Sequence, residues 1–369
     1  MTAESLCDRG WKVTVEPASI PGPGSVICEC GEIRNPAEGA IALLPKVLVT
    51  RRLPDRAMDM VRLWSDVELN PYDRPMTRDE LISAMRGKDG LLCLLTDVID
   101  AEVMDASDSL RVIANYAVGF NNIDVEAATR RAIAVCNTPG VLTETTADFA
   151  WALLMATARR VVEGDRLMRA GRYAGWSPTM LLGCDVYSKV LGLVGMGRIG
   201  AAVARRASGF SMKVVYFDVN RLSEDEEKAL GVHYTDFETL LGISDFISIH
   251  VPLVPATRHL IGENEFSKMK SSTCLINTSR GPVVDENALV AALESKQIAA
   301  AGLDVYENEP LMAPGLEELE NVVLAPHIAS ATNETRTLMG IIAVENMVAG
   351  LRGQIPPNCV NPHAWGSPA

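Results

Sequence analysis

From Lys46 onward, the chain alternates short apolar runs with segments of helical period. Continuous apolar runs bounded by polar residues or glycine are typical of parallel strands that are buried on both faces. A helix is predicted after Pro54, and Thr77 with Glu80 forms a capping box that opens another. The predicted strands of this first group are 46–50, 67–69, 90–95 and 110–114. Strands and helices that alternate in this way predict a small doubly wound domain.

A second series of strands follows a long helix, predicted to run from Thr143, which can cap it, to Arg172. Asp285 is expected to cap a further helix that ends near Glu294. An amphipathic helix over 333–351 is predicted to return to the first domain, which would make the second domain an insertion. The strands predicted for the second series are 190–194, 213–217, 246–250, 273–277, 298–303 and 322–324.

A glycine-rich turn joins the first strand of the second series to a helix. Gly195, Gly197 and Gly200 have the G-x-G-x-x-G spacing, which permits a tight turn, close approach of a pyrophosphate and close helix packing. Free N–H groups at the start of the helix then face the phosphates. Asp218 ends the next strand, about 20 residues further on, where a carboxylate can accept the ribose hydroxyls. The stretch therefore predicts a dinucleotide site.

The composition narrows the class of protein. At 369 residues and 48% hydrophobic content, the chain is long enough for two domains. A net charge of −13 opposes binding to nucleic acid or to an anionic membrane, and no apolar run reaches the roughly 20 residues of a membrane span. The eight cysteines form no metal or redox motif, so we expect thiols and no metal site. No secretory leader pattern is visible, which predicts a cytoplasmic protein.

Residues 1–44 differ from the rest of the chain. Proline, glycine and cysteine alternate there with isolated apolar residues, without a helical or strand period. We expect a poorly packed N-terminal extension outside the core, whose deletion leaves activity and Tm nearly unchanged.

Three further motifs follow the glycine turn in a fixed order, at 277–281, 301–310 and 325–332. With them, the chain from about Lys46 onward resembles the D-isomer-specific 2-hydroxyacid dehydrogenase family. The stretch from Tyr173 to Gly183 is similar to the branch of that family that reduces glyoxylate and hydroxypyruvate. The resemblance implies an α/β protein with two doubly wound parallel-sheet, Rossmann-like domains. The NAD-binding domain (144–327) would be inserted into a smaller flavodoxin-like substrate domain (45–143 and 328–369). Ser188 and Ser211 stand where the family usually has glycine.

The resemblance also assigns the catalytic roles. Arg280 would bind the substrate carboxylate and polarise the carbonyl, His327 would be the general acid/base, and Glu309 would support the imidazole. The chemistry of these side chains agrees with the roles. A guanidinium binds a carboxylate through two parallel hydrogen bonds, and a carboxylate beside a histidine favours its charged form.

Other contacts are implied by the same resemblance. The backbone N–H groups of Val118 and Gly119 would hold the substrate carboxylate. Trp176 would reach the pocket of a neighbouring subunit, although a structural tryptophan is the alternative. The implied cofactor contacts are Thr146, Gly195, Gly197, Arg198, Ile199, Gly200, Asp218, Pro252, Thr257, Thr278 and Asp304.

The resemblance therefore implies reduction of glyoxylate or hydroxypyruvate to the D-2-hydroxy acid. NAD is the expected cofactor because Asp218 would repel a 2′-phosphate, and NADP is the alternative because Arg221 stands nearby. The rival substrates are those of a D-3-phosphoglycerate or D-lactate dehydrogenase, and the rival class is an NADH-sensing regulator similar to a co-repressor. Surplus apolar residues on the helix from Thr143 to Arg172 predict a homodimer.

Overall fold

The computed structural model describes residues 44–365. The prediction for residues 1–44 lies outside the described residues, apart from Leu44, which is exposed. The strands are β1 (Lys46–Val49), β2 (Asp66–Leu69), β3 (Gly90–Cys93), β4 (Val112–Asn115), β5 (Ala134–Cys136), β6 (Val190–Val194), β7 (Lys213–Phe217), β8 (Val232–Tyr234), β9 (Phe246–Ile249), β10 (Cys274–Asn277), β11 (Ala300–Leu303) and β12 (Val322–Leu324). The α-helices are α1 (Asp55–Trp64), α2 (Arg78–Met85), α3 (Ala101–Asp105), α4 (Val125–Arg130), α5 (Thr143–Ala158), α6 (Val161–Arg169), α7 (Arg198–Ala207), α8 (Glu224–Leu230), α9 (Phe237–Ile243), α10 (Glu263–Lys268), α11 (Glu286–Glu294) and α12 (Asn333–Leu351).

These strands form two parallel sheets, which confirms the predicted architecture. The first sheet has the order β2-β1-β3-β4-β5, and the second has the order β12-β11-β10-β9-β6-β7-β8. The strand order reverses beside β1 in the first sheet and beside β6 in the second. In open α/β sheets, ligands bind outside the carboxyl ends of the strands at such a switch point.

The strands are buried on both faces, as their continuous apolar sequences require. In β1, Val47 and Val49 pack into one core cluster and Leu48 into another on the opposite face, because strand side chains alternate. Helix α12 packs Met339 and Met347 into the same cluster as Val47 and Val49. The chain therefore returns to the first sheet after completing the second, as the sequence predicts.

The single helix predicted over 143–172 is wrong. Helix α5 ends at Ala158, Arg160 has a left-handed backbone with φ +53°, and α6 begins at Val161. The carbonyl of Ala158 accepts the backbone N–H of Cys184 at 2.9 Å. This carbonyl is therefore bonded to a segment that crosses the end of α5 and not to a further turn of the helix. Thr143 is the first helical residue and does not cap the helix; the N-cap is Leu142, which makes no side-chain hydrogen bond.

Seven short elements have no counterpart in the sequence-based prediction, namely β5, β8, α3, α4, α8, α9 and α10. Strands β5 and β8 have three residues each, too few for a period to be recognised. Elsewhere the agreement is close: the capping box of Thr77 with Glu80 and the Asp285 cap are present, and α12 has the predicted bounds. Ser188 and Ser211 have φ +58° and +51°, the left-handed region that glycine favours.

Candidate active site

A cleft of about 520 Å³ lies where loops from the carboxyl ends of the two sheets meet. From the first sheet it is lined by the loop that follows β4, here called the substrate loop (residues 116–124), and by Asn137. From the second it is lined by the start of α7 and by the loops after β9, β10 and β12. The predicted residues that line it are Val118, Gly119, Thr146, Arg198, Ile199, Pro252, Thr278, Arg280 and His327.

The glycine loop (residues 195–200) has the geometry that its sequence predicts. Gly195 has φ +99°, and a Cβ there would lie 2.8 Å from the carbonyl group of His250. A Cβ on Gly200 would collide with the carbonyl oxygen of Gly195. A Cβ on Gly197, by contrast, would meet no atom within 4 Å, and Gly197 caps α7 without a side-chain hydrogen bond. The first turn of α7 therefore offers N–H groups and open space to an anion, which fits the pyrophosphate of a dinucleotide.

Asp218 holds the glycine loop in place, and its contact with a ribose stays a prediction. Its Oδ2 accepts the N–H of Met196 at 2.7 Å, and its Oδ1 accepts the N–H of Asn220 at 2.8 Å. Arg221, the residue that could favour NADP, is already engaged: its Nε donates to Glu227 at 2.8 Å, and its guanidinium lies 5.1 Å from the ring centre of Tyr234.

Arg280 reaches across the cleft to the substrate loop. Its Nε donates to Asn121 Oδ1 at 3.2 Å, although the two residues are 159 positions apart. A Cβ on Gly119 would collide with the guanidinium, so only glycine lets the arginine lie against this backbone. Burial lowers the pKa of Arg280, the charge of Glu309 opposes that shift, and a guanidinium stays charged at every relevant pH. A carboxylate in the cleft can therefore meet the guanidinium and the loop N–H groups together.

His327 and Glu309 form the predicted pair. The imidazole Nδ1 lies 2.9 Å from Glu309 Oε2, and Glu309 Oε1 accepts the N–H of Tyr306 at 3.1 Å. Burial raises the pKa of Glu309, but the hydrogen bond and charge of His327 outweigh it and hold that pKa below its ordinary value. Because the carboxylate takes Nδ1, Nε2 is the nitrogen left to exchange a proton with a molecule in the cleft.

Sequence reasoning missed Glu286, which braces the loop that carries Glu309. The side chain is 4% exposed, and its two oxygens accept the N–H groups of Glu307 at 2.7 Å and Ala313 at 3.0 Å. Burial raises the pKa of this carboxyl, and the two hydrogen bonds oppose the shift. An acid in the first turn of a helix is ordinarily an exposed partner of the helix dipole, so no local signal marked Glu286 as a brace.

Two asparagines of the first sheet were missed in the same way. Asn115 Nδ2 donates to the carbonyl of Gly119 at 2.8 Å, and Asn137 Nδ2 donates to the carbonyl of Val118 at 2.8 Å. Each bond fixes one of the two peptide groups beside Gly119 in the substrate loop. An asparagine at the end of a strand is too common for the sequence to have singled them out.

Of the remaining predicted residues, Thr278 fits a ligand best. Its hydroxyl is buried at the cleft and has no hydrogen-bond partner among the described residues. Asp304 is fully buried behind the cleft, where its carboxylate accepts the N–H groups of Ile328 and Ala329. Thr257 does not line the cleft, and its hydroxyl instead donates to the carbonyl of Pro252 at 2.6 Å. The cofactor contacts of Asp304 and Thr257 stay predictions.

His250 also lines the cleft, beside the glycine loop. Burial lowers its pKa to about 4, and its Nε2 lies 2.9 Å from the Ser248 hydroxyl. The ring is therefore neutral near pH 7 and pairs with its own strand, whereas His327 has a carboxylate partner. Of the two histidines that line this cleft, His327 is the one suited to proton transfer.

Trp176 is 80% exposed and does not line the cleft of its own chain. A second cavity, of about 320 Å³, lies at the opposite edge of the second sheet, beside the first residues of β10, β11 and β12. Within residues 44–365, no group of three or more His, Cys, Asp or Glu side chains could hold a metal ion. No helix in that part of the chain is long and apolar enough to cross a membrane.

Known proteins share the sequence and the fold of this chain. The model of the D-isomer specific 2-hydroxyacid dehydrogenase NAD binding domain matches residues 151–329. A glyoxylate reductase from Korarchaeum cryptofilum is 54% identical over 319 residues, which cover 86% of this chain and 96% of that protein.

Two solved structures extend the likeness to both sheets. A glyoxylate reductase from Paecilomyes thermophila has a TM-score of 0.77 at 32% identity, covering 86% of this chain and 98% of its own. An NADPH-dependent glyoxylate/hydroxypyruvate reductase from Sinorhizobium meliloti, in complex with NADP and malonate, has a TM-score of 0.76 at 32% identity, covering 88% and 99%. The chain therefore belongs to the D-isomer specific 2-hydroxyacid dehydrogenase family and is an NAD(P)-dependent oxidoreductase.

Proposed function

We propose that this protein reduces glyoxylate or hydroxypyruvate to the D-2-hydroxy acid with a reduced nicotinamide cofactor. One observation carries the proposal: the Arg280 guanidinium against Gly119 and the His327–Glu309 pair open into one cleft. The arginine matches the carboxylate of a 2-keto acid, and the histidine matches its carbonyl oxygen. The relatives named as glyoxylate reductases support this choice of substrate.

Each part of the cleft has a distinct task in the proposed reaction. The first turn of α7 and Asp218 would hold the dinucleotide, whose nicotinamide supplies a hydride when bound. Arg280, with the N–H groups of Val118 and Gly119, would fix the substrate carboxylate and so orient the adjacent carbonyl. His327 Nε2 would give its proton to the carbonyl oxygen as that oxygen becomes an alkoxide, while Glu309 stabilises and orients the charged ring.

A spectrophotometric panel tests the proposal. Loss of NADH absorbance is followed with glyoxylate, hydroxypyruvate, pyruvate and 3-phosphohydroxypyruvate, and each is repeated with NADPH. We expect the highest kcat/KM with glyoxylate or hydroxypyruvate. Binding of NADH without turnover of any of these acids would favour the sensing regulator and contradict the proposal.

A phosphorylated substrate is the second candidate, because a further basic side chain lines the cleft. Arg336 at the start of α12 lies there with Arg198 and Arg280. If Arg336 binds a substrate phosphate, Arg336→Ala should weaken turnover of 3-phosphohydroxypyruvate and spare glyoxylate. Equal effects on both acids would reject this second candidate.

The protein is also proposed to be a homodimer. The large exposed apolar side chains of α6 and of the segment up to β6 are Val161, Met168, Tyr173, Trp176, Leu182 and Tyr187. Helix α5 does not supply this surface as the sequence suggested, because its apolar residues pack within its own chain. Light scattering at micromolar concentration should give twice the chain mass of 39.8 kDa. A monomer would contradict both the dimer and the reach of Trp176 into a neighbouring pocket.

The domain boundaries at 143/144 and 327/328 and the cytoplasmic location also remain proposals. The return of α12 to the first sheet supports the boundaries, and limited proteolysis would test them. Fractionation of the source cells would test the location.

A further inference from the structure

The segment after α12 returns to the open edge of the first sheet, where it lies antiparallel to β5. Cys359 is paired with Cys136 in an isolated antiparallel bridge. The N–H of Val360 donates to the carbonyl of Val135 at 2.8 Å, and the N–H of Asn137 donates to the carbonyl of Asn358 at 3.3 Å. The two backbone bonds therefore flank the cysteines on both sides.

This hydrogen-bond pattern defines the distance between the two cysteines. Cys136 and Cys359 occupy a non-hydrogen-bonded pair, in which the Cα atoms lie about 4.5 Å apart and the side chains are at their closest. A disulfide spans Cα distances from roughly 4.4 to 6.8 Å. A bond between the two sulfurs thus needs little movement of the backbone.

Side chains on both sides hold the segment in this register. Asn361 Oδ1 accepts the N–H of Val135 at 2.8 Å, and Asn361 Nδ2 donates to the carbonyl of Ile133 at 2.9 Å. On the other side, Asn346 Oδ1 accepts the N–H of Asn358 at 3.0 Å. Asn346 is fully buried on α12, so the approach of Cys359 to Cys136 is built into the core of this layer.

We propose that Cys136 and Cys359 are a site of reversible disulfide formation that ties the C-terminal segment to β5. Both thiols are free in the structure, with Cys136 fully buried and Cys359 half-buried. Cys359 is therefore the sulfur that an external reagent can reach first.

The electrostatics of the pair give Cys359 the role of attacking thiolate. The hydrogen bond from the Cys136 thiol lowers the pKa of Cys359 to about 7, although burial opposes the shift. The same hydrogen bond and burial raise the pKa of Cys136. A thiol with a pKa near the ambient pH combines thiolate population with nucleophilicity.

The oxidant is a low-molecular-weight disulfide such as oxidised glutathione. The Cys359 thiolate attacks one of its sulfurs, which forms a mixed disulfide and releases one small thiolate. Cys136 then loses its proton, attacks the Cys359 sulfur and releases the second small thiolate, which takes up a proton. Two protein thiols are oxidised and one small disulfide is reduced to two small thiols.

The bond would close a loop that contains the whole second sheet. Because such a cross-link restricts the unfolded chain, oxidation should raise Tm by on the order of 5 °C. Neither cysteine lines the cleft, so turnover of the keto acid should change little.

The test uses the full-length protein, incubated at pH 7.5 with oxidised glutathione or with a reductant. Non-reducing peptide mapping should join the peptides of Cys136 and Cys359 in the oxidised sample alone, together with the rise in Tm. Cys359→Ser should lose both effects. Cys184→Ser is the matched control, because Cys184 is also half-buried with a pKa lowered to about 7 by a neighbouring cysteine, Cys274, and it should keep both.

Three results would overturn the proposal. Cys136 and Cys359 could both remain open to alkylation after oxidation. A stable glutathione adduct on Cys359 could persist beside a free Cys136. The cross-link could instead join Cys184 to Cys274, with Cys136 and Cys359 still reduced. Because the readout is the bond itself, these outcomes do not depend on the proposed substrate.

Discussion

The glycine loop and the substrate loop both follow interior strands of parallel sheets, yet each forms its side of the cleft in a different way. The glycine loop leads into α7, a helix of ten residues whose N-terminus has no side-chain cap. The substrate loop leads into α4, a helix of six residues that Asp124 caps through the N–H of Ala127. One loop leaves a helix N-terminus open to a ligand, and the other closes it.

The substrate loop therefore has to obtain its positive charge elsewhere. Arg280 comes from the second sheet and lies against Gly119, while Asn115 and Asn137 orient the peptides on either side of it. A phosphate can be held by backbone dipoles alone, whereas a small carboxylate that must also be aligned with a proton donor needs a directed pair of hydrogen bonds. The second sheet can therefore bind the dinucleotide phosphates with its own backbone N–H groups. The first sheet needs a side chain from the second sheet, Arg280, to bind the substrate carboxylate.

The largest expected effect comes from removing the proton donor, which belongs to neither loop. His327→Ala should lower kcat/KM for keto-acid reduction by on the order of 10²- to 10⁴-fold, because a positioned general acid is lost. NADH binding, followed by fluorescence titration, should survive because the glycine loop is untouched. His233→Ala, an exposed histidine on β8, is the control. Near-normal turnover of His327→Ala would assign the chemistry to another group.

A pair of glycine-to-alanine variants separates the two loops. Gly119→Ala places a methyl group against the Arg280 guanidinium and should raise KM for the keto acid by on the order of 10- to 100-fold, with the Kd of NADH unchanged. Gly197→Ala meets no protein atom and should leave Tm unchanged, but it should weaken NADH binding by about tenfold. If both variants weakened binding of the same ligand, the two loops would not have the separate roles described here.

The pH profile of keto-acid reduction tests the His327–Glu309 pair. The lowered pKa of Glu309 keeps its carboxylate charged below the ordinary range, so its support of the imidazolium is present above that pKa and is lost as pH falls through it. We therefore expect kcat/KM for keto-acid reduction to fall at the acid end of the profile. Glu309→Gln removes the charge at every pH, so it should lose this acid limb and lower kcat/KM by about tenfold or less. An acid limb that is unchanged in Glu309→Gln would reject the role assigned to Glu309.

The smallest effect is expected at the ribose end of the glycine loop. Asp218 should give a preference for NADH by repelling the 2′-phosphate of NADPH, and Arg221 is held by Glu227 and does little to offset it. Asp218→Ser should narrow the ratio of kcat/KM values for the two cofactors by about tenfold or less. Asp218→Asn removes the charge but keeps an acceptor for the N–H of Met196. If the charge of Asp218 causes the preference for NADH, Asp218→Asn should narrow the ratio as Asp218→Ser does. Equal use of both cofactors by the unaltered protein would contradict this assignment.

The sequence by itself determined the features that depend on a few neighbouring residues. Strand β6 and the turn at Gly195 follow from an apolar run and a position that needs positive φ. The caps at Thr77 and Asp285 follow from side chains that bond the backbone three residues on. Such local interactions have the same outcome wherever the segment lies, so pattern and spacing were sufficient.

Motif resemblance carried the prediction further, because it named Arg280, Glu309 and His327 before any contact among them was known. The structure adds that Glu309 and His327 are within hydrogen-bond distance and that Arg280 reaches the other sheet. No period or propensity could show either contact.

Tertiary structure alone decided the break between α5 and α6, the brace at Glu286 and the pairing of Cys136 with Cys359. In each case the deciding partner is distant in the chain: Cys184 takes the carbonyl at the end of α5, and the loop around Glu309 takes the oxygens of Glu286. A hydrogen bond or a steric contact acts over a few ångströms in space. The sequence does not state which distant residues packing brings within that range, and the structure does.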